Sequence, residues 1–335
     1  MKKTVIGIDV SKEKLDVSIL KDSKVQEEAI IENQTKKITI YLKEIQKKYT
    51  PEEILICAEY TGQYTYPLSI VCEEMQIALW IENPALIKYR SGVQRGKNDK
   101  LDARKIAQYA ERFQEEAKLF NMPEKSMVSL KQLISERDMY VSDRAKYQGQ
   151  LTDQERFMDK ADYKKKSKRL QALIQELDEA IKQIEKEIQK IIDSDETLSN
   201  QHKLLCSIEG IGERTAVKMI VETNAFKDFT NPRKFCCHAG VAPFSYTSGS
   251  SQHSRNKVSN RADKSIKALL HMAALIAATR MHGELHDYYL RKVGEGKNKM
   301  SVLNAVRAKL VYRMFAVIKN NQLYQKNYLN PLLKS

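Results

Sequence analysis

Thr4-Val-Ile-Gly-Ile-Asp9 and Lys14-Leu-Asp-Val-Ser-Ile-Leu20, parted by Ser11-Lys12-Glu13, decide how the first part of the chain folds. Both runs are β-rich and lie one short turn apart, so they predict a β-hairpin. Glu28–Asn33 predicts a third strand. Lys36–Tyr49, apolar at positions 38, 42 and 45, predicts a helix. Glu53-Ile-Leu-Ile-Cys-Ala-Glu59 is a continuous apolar run bounded by acids, which suits a buried strand. Tyr66–Met75 reads as helix and Ala78–Ile81 as a short strand ending at Asn83-Pro84. Helix resumes from about Asp99.

This order (hairpin and third strand, helix, strand, helix, strand, helix) is that of an RNase H-like α/β domain, although other α/β folds share it. Residues 125–193 contain no proline and almost no glycine. Leu170, Ile174, Leu177, Ile181, Ile184, Ile188 and Ile191 follow in steps of 4 and 3, a heptad seam. Met127, Leu130, Ile134, Val141 and Leu151 form a weaker stripe, and the charged stretch Asp159–Lys168 predicts the turn between them. The pattern fits an antiparallel helical hairpin or a dimerising coiled coil. Further on, Ile208-Glu-Gly-Ile-Gly-Glu-Arg-Thr-Ala216 places Gly-x-Gly between two helices. It predicts either a helix-hairpin-helix-like turn whose backbone N–H groups suit a phosphate, or a plain tight turn. Residues 238–262 read as loop, with helices from about 263 to 282 and 299 to 320. Three domains are expected: 1–122 α/β, 123–198 helical coiled coil, and 199–335 mainly helical.

Composition limits the partners. The 335 residues carry 57 Lys and Arg against 43 Asp and Glu, a net charge of +14. Residues 201–335 hold 22 of the basic and 8 of the acidic side chains, so the whole excess lies there. A segment that basic attracts a polyanion, nucleic acid first among them. No apolar run approaches the roughly 18 residues of a membrane span, and the start lacks a signal peptide's apolar stretch. Five cysteines without disulfide-like spacing fit a reducing cytoplasm.

Four acids stand out by position. Asp9 ends the first strand and Glu59 the fourth. Asp99 and Asp102, three apart in Lys97-Asn-Asp-Lys-Leu-Asp-Ala103, share one helical face. If the two strands are neighbours, Asp9 and Glu59 emerge at one sheet edge, where the helix can bring its pair. Oxygen donors so grouped suit Mg²⁺ or Mn²⁺, and two such ions stabilise the attacking and leaving oxygens of a phosphodiester. Each acid also has a plainer reading, as a turn cap, a solvated strand end, an N-cap or its N3 partner. Gly7-Ile-Asp-Val-Ser-Lys12 is also similar to an actin-like phosphate loop, but Val10 and Ser11 stand where such loops want glycine. Cys236-Cys237-His238 has no second Cys-x-x-Cys to complete a zinc site, so core packing is the better reading. Phe235, Phe244 and Tyr246 read as base-stacking residues or as core.

Gly7-Ile-Asp-Val-Ser-Lys12, Ala58-Glu-Tyr-Thr-Gly62, Lys97-Asn-Asp-Lys-Leu-Asp-Ala103 and Ala239-Gly-Val-Ala-Pro243 with Ser248-Gly249 resemble the DEDD-motif insertion-sequence transposases. These are bridge-RNA-guided serine recombinases related to the pilin-gene invertases. The resemblance runs over residues 4–320. It implies a RuvC-like first domain in which Asp9, Glu59, Asp99 and Asp102 hold Mg²⁺ (or Mn²⁺). A coiled coil and a C-terminal transposase domain would follow, with Ser248 as nucleophile. Without the resemblance, Ser245, Ser250 and Ser251 are chemically equal candidates. Arg255, Lys257, Arg261, Lys264 and Lys267 would meet nucleic-acid phosphates. Where the family often has Lys-Arg-Gly-Asn, this chain has Asn260-Arg-Ala-Asp263, and Lys267 replaces a frequent Arg, losing a bidentate contact.

The implied partners are target and donor DNA, a noncoding guide RNA and a homodimer that assembles to a tetramer, in the bacterial cytoplasm. The expected function is therefore an RNA-guided DNA transposase that cuts and rejoins strands through a serine–DNA linkage. A metal-dependent junction-resolving nuclease using the carboxylates alone is the alternative, and a non-catalytic nucleic-acid-binding coiled-coil protein is a third.

Overall fold

The computed structural model describes residues 4–90, 99–244, 247–248, 252–253, 257–258 and 262–326. The chain divides into two compact units, Met1–Pro123 and Glu124–Ser335.

In the first unit, β1 (Thr4–Val10), β2 (Lys14–Lys21) and β3 (Lys24–Glu32) form an antiparallel meander. Then come α1 (Thr35–Gln46), β4 (Ile54–Glu59), α2 (Tyr66–Glu74), β5 (Ala78–Glu82), α3 (Pro84–Arg90) and α4 (Asp99–Phe113). The sheet order is β3-β2-β1-β4-β5, with β4 parallel to both β1 and β5. This mixed order and direction is RNase H-like, as the succession of predicted elements anticipates. Helix α3 has no counterpart in the sequence reading, because its seven residues are too short for a periodic signal.

Strands β1 and β4 are central and covered on both faces, which is why they read as continuous apolar runs. Ile6, Ile8, Val10, Ile54 and Ile56 pack with Ile38, Leu42, Ile45, Leu68 and Val71 of α1 and α2. Val5, Leu55 and Cys57 face the other way, against Ile106, Ala107 and Ala110 of α4 and Trp80. Gly7 belongs to this second face. A Cβ there would lie 2.3 Å from the Ala107 nitrogen and 2.4 Å from the Ala103 carbonyl oxygen. The missing side chain lets the α4 backbone rest directly on β1.

The second unit begins with α5 (Lys125–Asp153) and α6 (Lys160–Ser194). Arg137 donates to Glu185 at 2.5 and 2.7 Å, and Arg144 to Asp178 at 2.6 Å. As the α5 residue advances, its α6 partner recedes by the same seven positions, so the pair is an antiparallel hairpin within one chain. Ile181, Ile184 and Ile188 of the seam are buried, Ile192 rather than Ile191 takes the last buried place, and Leu170, Ile174 and Leu177 are half-buried. The turn lies at residues 154–159, not at Asp159–Lys168. Asp159 accepts from the Ala161 amide and so caps α6, and the lysine-rich stretch after it is a good helix former.

Then follow α7 (Glu196–Cys206), α8 (Glu213–Glu222) and α9 (Pro232–His238). Four two-residue strands come next: β6 (Pro243–Phe244), β7 (Thr247–Ser248), β8 (Gln252–His253) and β9 (Lys257–Val258). The unit ends with α10 (Lys264–Thr279), α11 (Glu284–Gly294) and α12 (Lys299–Asn320). Leu204, Leu205, Ile220, Phe235, Leu270, Ala274, Leu310 and Met314 meet in one core. The Gly-x-Gly segment joins α7 to α8: Gly210 takes φ +85°, and a Cβ there would lie 2.8 Å from the Ala273 carbonyl oxygen of α10. Among the described residues no helix is long and apolar enough to cross a membrane.

Candidate active site

The strand registers align four carboxylates across four adjacent strands. Asp16 of β2 stands opposite Asp9 of β1. β1 and β4 pair in parallel as far as Ile8 and Ala58, and the next step in that register sets Asp9 beside Glu59. Glu59 in turn stands beside Glu82 of β5. Alternation places all four on the face that α4 covers. Asp102 directly precedes Ala103 of the Gly7 contact, and Lys105 lies between Ala103 and Ala107. The sequence reading expected Asp9 and Glu59 as neighbours at one sheet edge, with the helix brought to them. It did not single out Asp16 or Glu82; what sets them in the row is their register against Asp9 and Glu59, which no local pattern shows.

Each acid has its own surroundings. Burial, and after it the charge of Asp102, hold the Glu59 carboxyl above its ordinary range. Asp102 accepts from Lys105 Nζ at 2.7 Å. Glu82 accepts from the Tyr109 hydroxyl at 3.0 Å. Asp16 lies 3.0 Å from Lys14 Nζ through Oδ2. Arg104 of α4 grips Glu28 of β3 with two nitrogens and so fixes the helix across the sheet. Among the described residues no group of three or more His, Cys, Asp or Glu side chains is arranged to hold a metal ion. The Asp99 side chain lies outside the described residues, though its backbone begins α4. The donor set is all oxygen, crowded with like charge and partly buried, which suits a hard divalent cation.

In the second unit, Ser248 sits on the inner tier of a nested hairpin: β6 pairs with β9, and within them β7 with β8, Ser248 opposite Gln252. The side chains of Ser248 and Lys257 lie outside the described residues, as do Ser245, Tyr246, Ser250, Ser251, Arg255 and Arg261 altogether, and the side chain of Phe244. Lys264 and Lys267 lie on the first turn of α10, Lys264 exposed and Lys267 half-buried. The base of the hairpin is anchored. The Asp263 amide donates to the His238 carbonyl at 3.3 Å, Asn304 Nδ2 to the Val241 carbonyl at 2.7 Å, and Asp263 caps α10. Beneath α9, Glu222 lies 2.9 Å from Lys218 Nζ and 3.6 Å from His238 Nε2. The contact with the His238 ring, and then Lys218, holds the Glu222 carboxyl down to about 2 against the opposing effect of burial. We assign the larger share to Lys218, because 3.6 Å is long for a hydrogen bond. Phe235 and Cys236 are buried in the core, Phe235 edge-on to Phe229, so Phe235 is not a base-stacking residue. Cys236, Cys237 and His238 belong to no group arranged to hold a metal ion among the described residues.

Comparison with known proteins gives the family. A model described as transposase of the IS116/IS110/IS902 family matches residues 202–290, and a DEDD transposase model of the IS110 group matches residues 6–159. The chain belongs to the IS110-type transposase family. It is accordingly an enzyme of the DNA transposase and recombinase class. This transposase is 25% identical over 333 residues to the pilin gene-inverting protein of Moraxella bovis, covering 97% of this chain and 99% of the relative. The pilin gene-inverting protein of Moraxella lacunata is similar to the same extent. An insertion element IS116 protein of Streptomyces clavuligerus is 25% identical over 148 residues, 44% of this chain and 36% of that one. Among solved structures, T. thermophilus RuvC in complex with a Holliday junction substrate is similar over 35% of this chain and 99% of its own. The identity there is 13% and the TM-score 0.29. The strand order alone carries the fold assignment.

Proposed function

We propose that this transposase is an RNA-guided DNA recombinase of an insertion sequence, acting in the bacterial cytoplasm on target and donor DNA. The observation that carries the reading is the row of carboxylates beneath α4, on a sheet of RNase H-like order, in a chain of this family. Asp9, Glu59, Asp99 and Asp102 would hold Mg²⁺ or Mn²⁺. The cation, when bound, would stabilise negative charge on the leaving oxygen of a phosphodiester. The Ser248 hydroxyl attacks the scissile phosphorus. Its proton leaves to solvent or a nearby base, the bond to the leaving strand oxygen breaks, and a phosphoserine linkage keeps the bond energy for rejoining. Arg255, Lys257, Arg261, Lys264 and Lys267 neutralise phosphate charge. The Gly210–Gly212 turn offers backbone N–H groups at the α8 N-terminus in a helix-hairpin-helix-like way. Family membership supports guide-RNA pairing and assembly of dimers into a tetramer through the helical hairpin, and the basic charge of residues 201–335 supports nucleic-acid binding.

A second reading, strand cleavage by the carboxylates alone, is favoured by one observation: the acidic row is built entirely within the first unit. Ser248→Ala separates the two. Under the serine reading this substitution removes both the denaturant-resistant protein–DNA adduct and strand transfer. Under the second reading, cleavage persists and no adduct forms in the unaltered protein either. Asp9→Ala stops cutting under both; if neither substitution changes anything, only binding is left.

A further inference from the structure

Asp16 is the acid whose surroundings the site described so far does not explain. It stands directly opposite Asp9 in the β1–β2 register, on the face covered by α4. Side chains so placed are cross-strand neighbours, and two like charges there repel. The Asp16 side chain is only 4% exposed. Lys14 reaches Oδ2 from the protein surface, itself 41% exposed. The other oxygen, Oδ1, is buried without a hydrogen-bond partner, and so is the Ser18 hydroxyl two residues along the same face. A carboxylate needed only to hold Lys14 has no reason to bury its second oxygen beside another acid. Removing a charged oxygen from water without a partner is costly unless a cation or a donor arrives to meet it.

We propose that Asp16 is a fifth carboxylate of the acidic centre. Its charge, buried on the same face as Asp9, would act at short range on the divalent cation that Asp9 would hold and strengthen its binding. Lys14 holds Oδ2 so that the carboxylate keeps its orientation. Groups just outside a metal's ligands typically change metal affinity by about 10- to 100-fold. The inference rests on the reading that Asp9 and its companions hold a divalent cation.

The test is Mn²⁺ binding to the full chain without nucleic acid, with free Mn²⁺ followed by electron paramagnetic resonance. Asp16→Asn keeps the shape and removes the charge, and Asp9→Asn serves as the reference. Circular dichroism and thermal melting report folding. About tenfold weaker Mn²⁺ binding by a folded Asp16→Asn chain is expected. A folded Asp16→Asn chain that binds Mn²⁺ as the unaltered protein does, while Asp9→Asn loses binding, overturns the Asp16 proposal alone. If the unaltered chain does not bind Mn²⁺, or Asp9→Asn leaves binding unchanged, the metal reading falls and the Asp16 proposal with it. Should Asp16→Asn not fold, Lys14→Gln decides. Freeing the Asp16 charge from its ammonium tightens Mn²⁺ binding if the carboxylate acts on the cation, and unchanged affinity overturns the proposal.

Discussion

Gly7→Ala is the smallest change that tests how the acidic site is assembled. The added methyl carbon would lie 2.3 Å from the Ala107 nitrogen, 2.4 Å from the Ala103 oxygen and 2.7 Å from the Ala107 Cα. All three are backbone atoms, so no side chain can turn aside. Ordinary contact begins at about 3.4 Å, so α4 must lift from β1 by about 1 Å. Overpacking of this kind typically costs about 1–3 kcal/mol, and a 1 Å misplacement of reacting groups costs about 100-fold in rate. Because α4 carries Asp102, and Asp99 at its start, the substitution is expected to do both. Urea denaturation measures the first, and strand cleavage on a matched DNA substrate the second. Binding of nonspecific DNA, expected of the basic residues 201–335, should stay unchanged. A Gly7→Ala chain with unaltered midpoint and cleavage rate would refute the claim that α4 is seated by this contact.

Other outcomes follow from the same reasoning. Gly210→Ala forces a left-handed φ of +85° on alanine and meets the Ala273 carbonyl oxygen at 2.8 Å, so we expect a loss of about 2 kcal/mol or more in a denaturation series. Glu222, held at about 2 when folded and near its ordinary 4.5 when unfolded, contributes stability present above pH 4.5 and lost as the pH falls from there toward 2. The shift corresponds to about 3 kcal/mol, so the stability gap between the unaltered chain and Glu222→Gln should close over that interval in pH-resolved melts; a gap independent of pH contradicts it. DNA affinity should fall steeply with salt, since residues 201–335 carry the whole charge excess, and a flat response contradicts that. Chelation of divalent ions should stop strand cleavage while sparing DNA binding measured by gel shift.

Much of the fold was legible because the physics that shapes it is local. The runs at Val5–Ile8 and Ile54–Ala58 are free of polar side chains because both faces are covered, and the heptad seam marks a helix that packs along its length. What escaped depends on contacts between distant segments. Nothing near Gly7 announces that α4 lands on it; that needs the sheet order and the alanines at 103 and 107 together. Asp16 reads as an ordinary polar strand position until the hairpin register sets it against Asp9. The two-residue strands β6–β9 are too short for any periodicity, and α9 and α11 are only about two and three turns long. The misplaced turn at Asp159 has another cause: a charged stretch is as good a helix as a loop when its residues are lysines.

Anomalous diffraction from Mn²⁺-soaked crystals of the full chain would show directly whether the acidic row holds a divalent cation. Density for the ion is expected between the Asp9 and Glu59 carboxylates beneath the start of α4, within about 2.6 Å of their oxygens. Manganese bound only elsewhere, with these carboxylates still turned to their protein partners, would contradict it.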